Sequence, residues 1–318
     1  GFRLAAMTDS ATFWVDRTSV TAPTTLRYGA TVNVGVPVGA VASQTSPGAT
    51  VTITLPPSVL DVDPWGLDPT WTFTKSYDQW GQIVATFTHG PVTAPAALNW
   101  IWLDATLSPI APPSGSVVAT MRSVVQGSAS AVTPITLSAT TTVAQAQVIA
   151  LTTSTAKRTV ERNESPLSWT VGWSNFKAAT QGLTHVVGVL PKSGDTAGSS
   201  FHGTIEFGDV SLCSGASATT LEYTTDPDVA GRAADDSATT WIPVTGTSLS
   251  GLGATAFRVA IADFQPGSAC SLSVKTDVAG NIKGDRYAML VFGKSAVGGS
   301  LPQTVPTAVD VVASSITG

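Results

Sequence analysis

The stretch Leu26-Arg-Tyr-Gly-Ala-Thr-Val-Asn-Val-Gly-Val-Pro-Val38 reads with a period of two. Leu26, Tyr28, Val32, Val34, Val36 and Val38 share one side of an extended backbone, while Arg27, Thr31 and Asn33 share the other. Side chains along a strand alternate between faces, so this pattern predicts a strand packed on one face and wetted on the other. The same alternation recurs in Val51, Ile53 and Leu55, then in Leu167, Trp169, Val171 and Trp173. It returns in Phe257, Val259 and Ile261 and in Leu272 and Val274. Pro, Gly and Ser clusters separate the segments, among them Ser46-Pro47-Gly48, Pro112-Pro113-Ser114-Gly115 and Gln265-Pro266-Gly267. No long segment carries a 3.6-residue period. Many short strands between turn signals predict an all-β chain built as two antiparallel β-sandwiches in series.

Composition supports that reading. Charged residues are 12% of the 318, about half the usual share of roughly 25%, while the apolar share of 43% is ordinary. Threonine stands at 46 positions. Its hydroxyl keeps a strand face polar without charge, and its β-branch suits the pleat. No apolar run approaches the ~18 residues of a membrane span, so membrane insertion is not expected. No signal peptide begins the numbering, and the chain reads as a trimmed soluble fragment. A net charge of -5 argues against a nucleic-acid partner, which needs clustered Lys and Arg.

Residues 1–148 hold five basic groups and seven acids, all of them Asp; every Glu and both cysteines lie beyond. These shifts place a domain boundary at about 148, giving domains 1–148 and 149–318.

In the second half, Leu183-Thr-His-Val-Val-Gly-Val-Leu-Pro-Lys-Ser-Gly-Asp195 and Gly198-Ser-Ser-Phe-His-Gly203 resemble a repeat of actinobacterial wall-anchored surface proteins. Leu221-Glu-Tyr-Thr-Thr-Asp-Pro227, Ala256-Phe-Arg-Val-Ala260, Gln265-Pro-Gly267 and Gly284-Asp-Arg-Tyr287 follow the same template in order. The chain departs from it at Gly188, where Asp is usual, and at Met289, where Asn is usual. The first half, by its length, strand pattern and place before such a domain, resembles the MSCRAMM adhesins. That resemblance implies two tandem immunoglobulin-like sandwiches on a secreted, wall-anchored protein. It also implies a host extracellular or plasma protein as partner, fibrinogen first, with a peptide held between the domains and closed over by a C-terminal latch. The edge of a last strand at 305–313 would pair with that peptide through Val305, Thr307, Ala308, Val309 and Val311, and Ser314 and Ile316 would begin the latch. A monomer is expected. The alternatives are a structural stalk without a ligand of its own and a carbohydrate-binding module.

Chemistry beyond binding finds few carriers. His89, His185 and His202 sit in no metal-binding or hydrolase motif, and no G-x-S-x-G elbow exists, so no enzyme activity and no metal centre are expected. Cys213 and Cys270 fall in one domain, and in an exported protein two such thiols are expected to pair; two free thiols are the alternative. Lys75 is the first half's only lysine, in phase with Trp71, Phe73 and Tyr77. A buried amine there could form an isopeptide bond with Asn99 or Asp104, with Asp16 or Asp78 as proton shuttle. The simpler reading is an edge-strand lysine with its stem over Trp71 and its head in water. Trp65 and Trp80 occupy turn-like contexts and are candidate exposed contacts, whereas Trp100 and Trp102 are expected in the core. Asp61, Asp63 and Asp68 could ligate Ca²⁺, against the plainer reading of a surface turn.

Overall fold

The structure, a computed structural model, describes residues 8–36, 44–112, 114–126, 134–146, 148–213, 219–301 and 306–313. It is all-β: among the described residues there is no α-helix, only one short 3₁₀ turn at Val229–Gly231. The chain divides into two compact units, Gly1–Gln145 and Ala146–Gly318, a division three residues ahead of the one expected from composition.

The first unit runs through β1 (Ser10–Val15), β2 (Ser19–Ala22), β3 (Thr25–Val34), β4 (Gln44–Ser46), β5 (Gly48–Leu55), β6 (Val59–Pro64) and β7 (Trp71–Tyr77). It continues with β8 (Ile83–His89), β9 (Val92–Ala94), β10 (Ala96–Ala97), β11 (Ile101–Leu107), β12 (Ser116–Gln126) and β13 (Ile135–Gln145). One sheet has the order β1-β3-β11-β6, and the facing sheet the order β2-β13-β12-β5-β8-β7. Among the described residues β4 pairs only with β9, and β10 adds to β3.

The second unit comprises β14 (Ile149–Thr155), β15 (Thr159–Glu161), β16 (Leu167–Asn175), β17 (Thr184–Val189), β18 (Thr204–Leu212) and β19 (Thr219–Thr224). After these come β20 (Ile242–Pro243), β21 (Ala256–Ile261), β22 (Ala269–Ala279), β23 (Arg286–Ser295), β24 (Gly299–Ser300) and β25 (Thr307–Val312). Its sheets have the orders β14-β16-β22-β18 and β15-β25-β23-β17-β21-β19-β20.

The two units share one topology. An immunoglobulin sandwich sets strands A-B-E-D against G-F-C. β1-β3-β11-β6 and β14-β16-β22-β18 are the A-B-E-D sheets. β13-β12-β5 and β25-β23-β17 are the G-F-C strands, flanked by β2 or β15 running parallel to the last strand. Both units then depart from the standard pattern in the same way. Two further strands extend the C edge, β8 and β7 in one unit, β21 and β19 in the other, where the two-residue β20 adds to β19. They come between D and E in chain order, whereas variable-type domains place their extra strands between C and D.

Alternation fills each core. In β3 the even positions Leu26, Tyr28, Ala30, Val32 and Val34 are all buried, and they join Ile53, Phe87 and Ile101. The second core gathers Trp169, Phe207, Phe257, Phe264 and Tyr287. Each ring removes large apolar area from water, at about 25 cal/mol per Å² buried. The outward positions of β5, β7 and β8 are largely threonine, which explains how so few charges suffice.

Cys213, just past β18, and Cys270, in the neighbouring strand β22, form a disulfide with Cα atoms 5.8 Å apart. The expected open edge at 305–313 is closed over part of its length. β25 pairs through Thr307–Asp310 with β23 and through Asp310–Val312 with β15. Its Thr307 hydroxyl donates to the carbonyl of Thr153 at 2.8 Å, tying the strand to β14 as well. Thr307, Ala308, Val309 and Val311 are buried. β15 therefore fills the outer flank over Asp310–Val312, and the inward side chains of the strand belong to the core. Val305, Ser314 and Ile316 lie outside the described residues.

Candidate ligand-binding face

The outer face of the first unit's A-B-E-D sheet carries a cluster of indoles. In β11 the odd positions Ile101, Leu103, Ala105 and Leu107 take the core, so Trp102 and Asp104 face outward, with Trp100 just before the strand. β3 sends its odd positions Arg27, Gly29 and Thr31 to the same face. Register places Trp14 of β1 and Trp102 on either side of Gly29. A methyl group on Gly29 would stand 2.3 Å from the Trp14 ring and 2.9 Å from that of Trp102, so only glycine leaves room for the two rings above it. They meet edge to face, with centroids 5.6 Å apart and planes at 89°.

Trp100 and Trp65 complete the cluster. Trp100 packs against Trp14 at 5.4 Å and 80° and against Trp102 at 5.6 Å and 41°. Its corner is fixed from below, where the buried Trp71 indole donates to the carbonyl of Asn99 at 2.9 Å. Trp65 follows β6; its amide donates to the carbonyl of Trp102, and its ring meets Trp102 at 6.4 Å and 88°. Gly66, at φ +56°, turns the chain away immediately afterwards, a conformation glycine adopts without a Cβ clash. The side chain of Asp68 then closes that turn by accepting from the Thr70 amide at 2.9 Å. Trp65 remains 51% exposed and Trp100 56%, so the expectation of a core place for Trp100 and Trp102 is corrected: a whole apolar surface faces solvent here.

Charge on this face is ordered. Arg27 donates twice to Asp104, at 2.7 and 2.9 Å, and its guanidinium lies 4.0 Å over the Trp65 ring. The paired carboxylate and the cation–π contact pin Arg27 flat against the surface. Donating to the Asp104 carboxylate raises the Arg27 pKa further, so the group stays charged. Asp63, exposed on β6, stands opposite Asp104 in register and makes no ion pair among the described residues.

The remaining candidates fall elsewhere. Trp80 is 71% exposed at the β7–β8 turn, where its amide and that of Gln82 both donate to Asp78. Lys75 keeps its phase with Trp71, Phe73 and Tyr77, but its ammonium reaches across to Asp61 at 2.5 Å and the Val62 carbonyl at 3.4 Å. Asn99 instead approaches Thr70, and Asp104 holds Arg27, so neither expected isopeptide partner meets the amine. Asp61 is taken by Lys75, Asp68 by its turn and Asp63 by neither; the three do not converge on a cation site. His202 Nδ1 lies 2.8 Å from Asp285, with no hydroxyl or thiol bonded to the ring among the described residues. His185 is half-buried on β17, and burial, then Arg258, lowers its pKa.

The comparisons with known proteins add resemblances of low similarity. No family model and no curated protein matches the sequence. Among solved structures, the C-terminal domain of the antigen I/II polypeptide BspA of Streptococcus agalactiae covers 94% of this chain and 100% of its own, at 10% identity and a TM-score of 0.27. A collagen adhesin from S. aureus covers 97% and 92%, at 8% identity and 0.25. A membrane-anchored protein of Corynebacterium diphtheriae, itself described as putative, covers 96% and 95%, at 9% identity and 0.29. Scores in this range carry no weight on function. Among the described residues, no helix is long and apolar enough to cross a membrane.

Proposed function

We propose that the chain is the ligand-binding region of a bacterial surface adhesin, exported and wall-anchored, that attaches to a host extracellular protein without catalysis. The observation that carries this reading is the indole face of the first unit. Four tryptophans pack around Gly29 and stay partly or largely exposed, an expense of apolar surface that helps no core and suits a protein contact. The disulfide fits an oxidising, extracellular setting. Contact is assigned to this face and not to strand addition at 305–313, since β15 already takes the outer flank of β25 over Asp310–Val312 and the strand's inward side chains are buried. A flat sugar platform suits the rings less well, because three of the four ring pairs stand between 80° and 89°.

The test is direct. The 318-residue chain is passed over immobilised fibrinogen, collagen and fibronectin in a label-free binding assay. Saturable binding to at least one of them is expected. No binding to any would leave the structural stalk as the better reading.

A further inference from the structure

Resting on that adhesive reading, we propose that the indole face around Gly29 docks a single-chain, proline-rich segment that carries a basic residue beside its prolines.

Three observations converge on this occupant. First, the rings pack edge to face. Trp14 against Trp102, and Trp65 against Trp102, both stand near 90°, so the surface presents ring edges and faces together in place of one flat platform. A polyproline helix has three residues per turn and presents compact, rigid rings at a regular spacing, which pack on such an uneven aromatic surface at little entropic cost. A pyranose ring stacks on a flat face and finds none of comparable breadth here.

Second, the indole N–H groups of Trp14, Trp65, Trp100 and Trp102 have no protein acceptor among the described residues, while the Trp71 indole beneath them is bonded to the carbonyl of Asn99. A polyproline helix makes no internal hydrogen bonds and leaves its carbonyls outward. Unbonded donors on an aromatic surface match that backbone.

Third, the charges favour a cation. Arg27 is neutralised by Asp104 and flattened onto Trp65, so it cannot leave to meet an anionic partner without losing two hydrogen bonds. Asp63 is exposed next to them and unpaired. The face therefore carries one uncompensated carboxylate at its rim, and a Lys or Arg flanking the prolines satisfies it. Such a rim contact contributes specificity more than affinity.

The probe is a capped peptide of eight prolines preceded by two arginines, titrated into the whole chain by calorimetry and by tryptophan fluorescence. Its partners are the same octaproline preceded by two glutamates, and cellohexaose. The arginine peptide should bind at least tenfold more tightly than the glutamate peptide, and cellohexaose should not bind. Trp65→Ala with Trp100→Ala should weaken the peptide thirtyfold or more, with the unfolding midpoint unchanged because both rings are over half exposed. Asp63→Asn, a surface change that leaves the rings in place, should abolish the preference for arginine over glutamate. Unchanged affinity in the double tryptophan variant, equal binding of the two peptides, or binding of cellohexaose in place of either would overturn the proposal. The same double variant, run on the immobilised matrix proteins, separates the two readings. Full retention of matrix binding defeats the docking face alone, whereas failure of the unaltered chain on every matrix protein defeats the adhesive reading.

Discussion

Two sandwiches with one strand order use tryptophan in opposite ways. On β3 of the first unit the outward row holds Gly29, and the indoles of Trp14 and Trp102 lie above it, half-buried among the exposed rings of Trp65 and Trp100. On β16, the counterpart strand, Trp169 and Trp173 point inward and are 1% and 3% exposed. A third indole of the second unit, Trp241, is also covered: Arg258 lies 4.6 Å over it, held by Glu222 and the carbonyl of Ala234. The excursion between β19 and β21 packs Val229, Ala234 and Trp241 onto Val187 and Phe292, a second small core outside the sheet. Topology thus decides which positions face outward, and the residues placed there decide whether a face binds or is roofed. The second unit packs its indoles into its own cores or under Arg258; the first leaves several partly exposed on one face.

The largest test of this contrast sets Trp169→Ala against Trp100→Ala. The first empties a buried site and breaks the indole bond to Thr276, at a cost of about 3–5 kcal/mol; the second should change stability by no more than ~0.5 kcal/mol. Calorimetric unfolding of both variants checks this, and comparable losses would mean that the exposed face is packed after all. Next comes the staple of the second unit. Cys213→Ser with Cys270→Ser should cost about 2–5 kcal/mol and move only that unit's transition.

Gly29→Ala sharpens the comparison from the other side. A methyl group 2.3 Å from the Trp14 ring forces the indoles apart, so a loss of about 1–3 kcal/mol in the first unit is expected together with weaker peptide binding. A neutral result in both measurements would show that the rings do not need this glycine.

The smallest effect is a pH dependence confined to the second unit. Burial alone would raise the Asp285 pKa, but hydrogen bonds from the His202 ring and from the amides of Ile282 and His202 outweigh it and hold it low. A carboxylate with a depressed folded pKa contributes stability above its unfolded value near 3.9, and loses it as pH falls through the folded value. Asp285→Asn should therefore lose stability at neutral pH and flatten the acid limb, as followed by urea unfolding from pH 6 down to pH 3. An acid limb unaltered in the variant would assign that dependence to other carboxylates.

Much of this could be read from the chain before folding. Alternation in Leu26–Val34 and Leu167–Trp173 marks strands and their inner faces because pleating is strictly two-periodic. The cysteine pair was legible from number and context. The phase of Trp100 and Trp102 was not, because Ile101 and Leu103 offer an equally apolar set on the other side, and only Asp104, in phase with the tryptophans, marks the wet face. Gly29 gives no local sign of what it serves, since its role depends on rings 15 residues back and 73 residues ahead. The strands added between D and E leave no composition signal, and the closure of β25 by β15 is a pairing across some 150 residues that no local pattern encodes.

The parallel alignment of β15 with β25 also sets how the second unit bears a load. β15 lies near the start of the unit and β25 at its end, and both run in the same direction. Tension on the two ends therefore drags these strands lengthwise past each other, and their cross-strand bonds must fail together instead of opening one at a time. Should the sheets part, the link from Cys213 to Cys270, 57 positions apart, still holds the intervening chain out of extension. A unit cross-linked this way stretches over only part of its length when it opens.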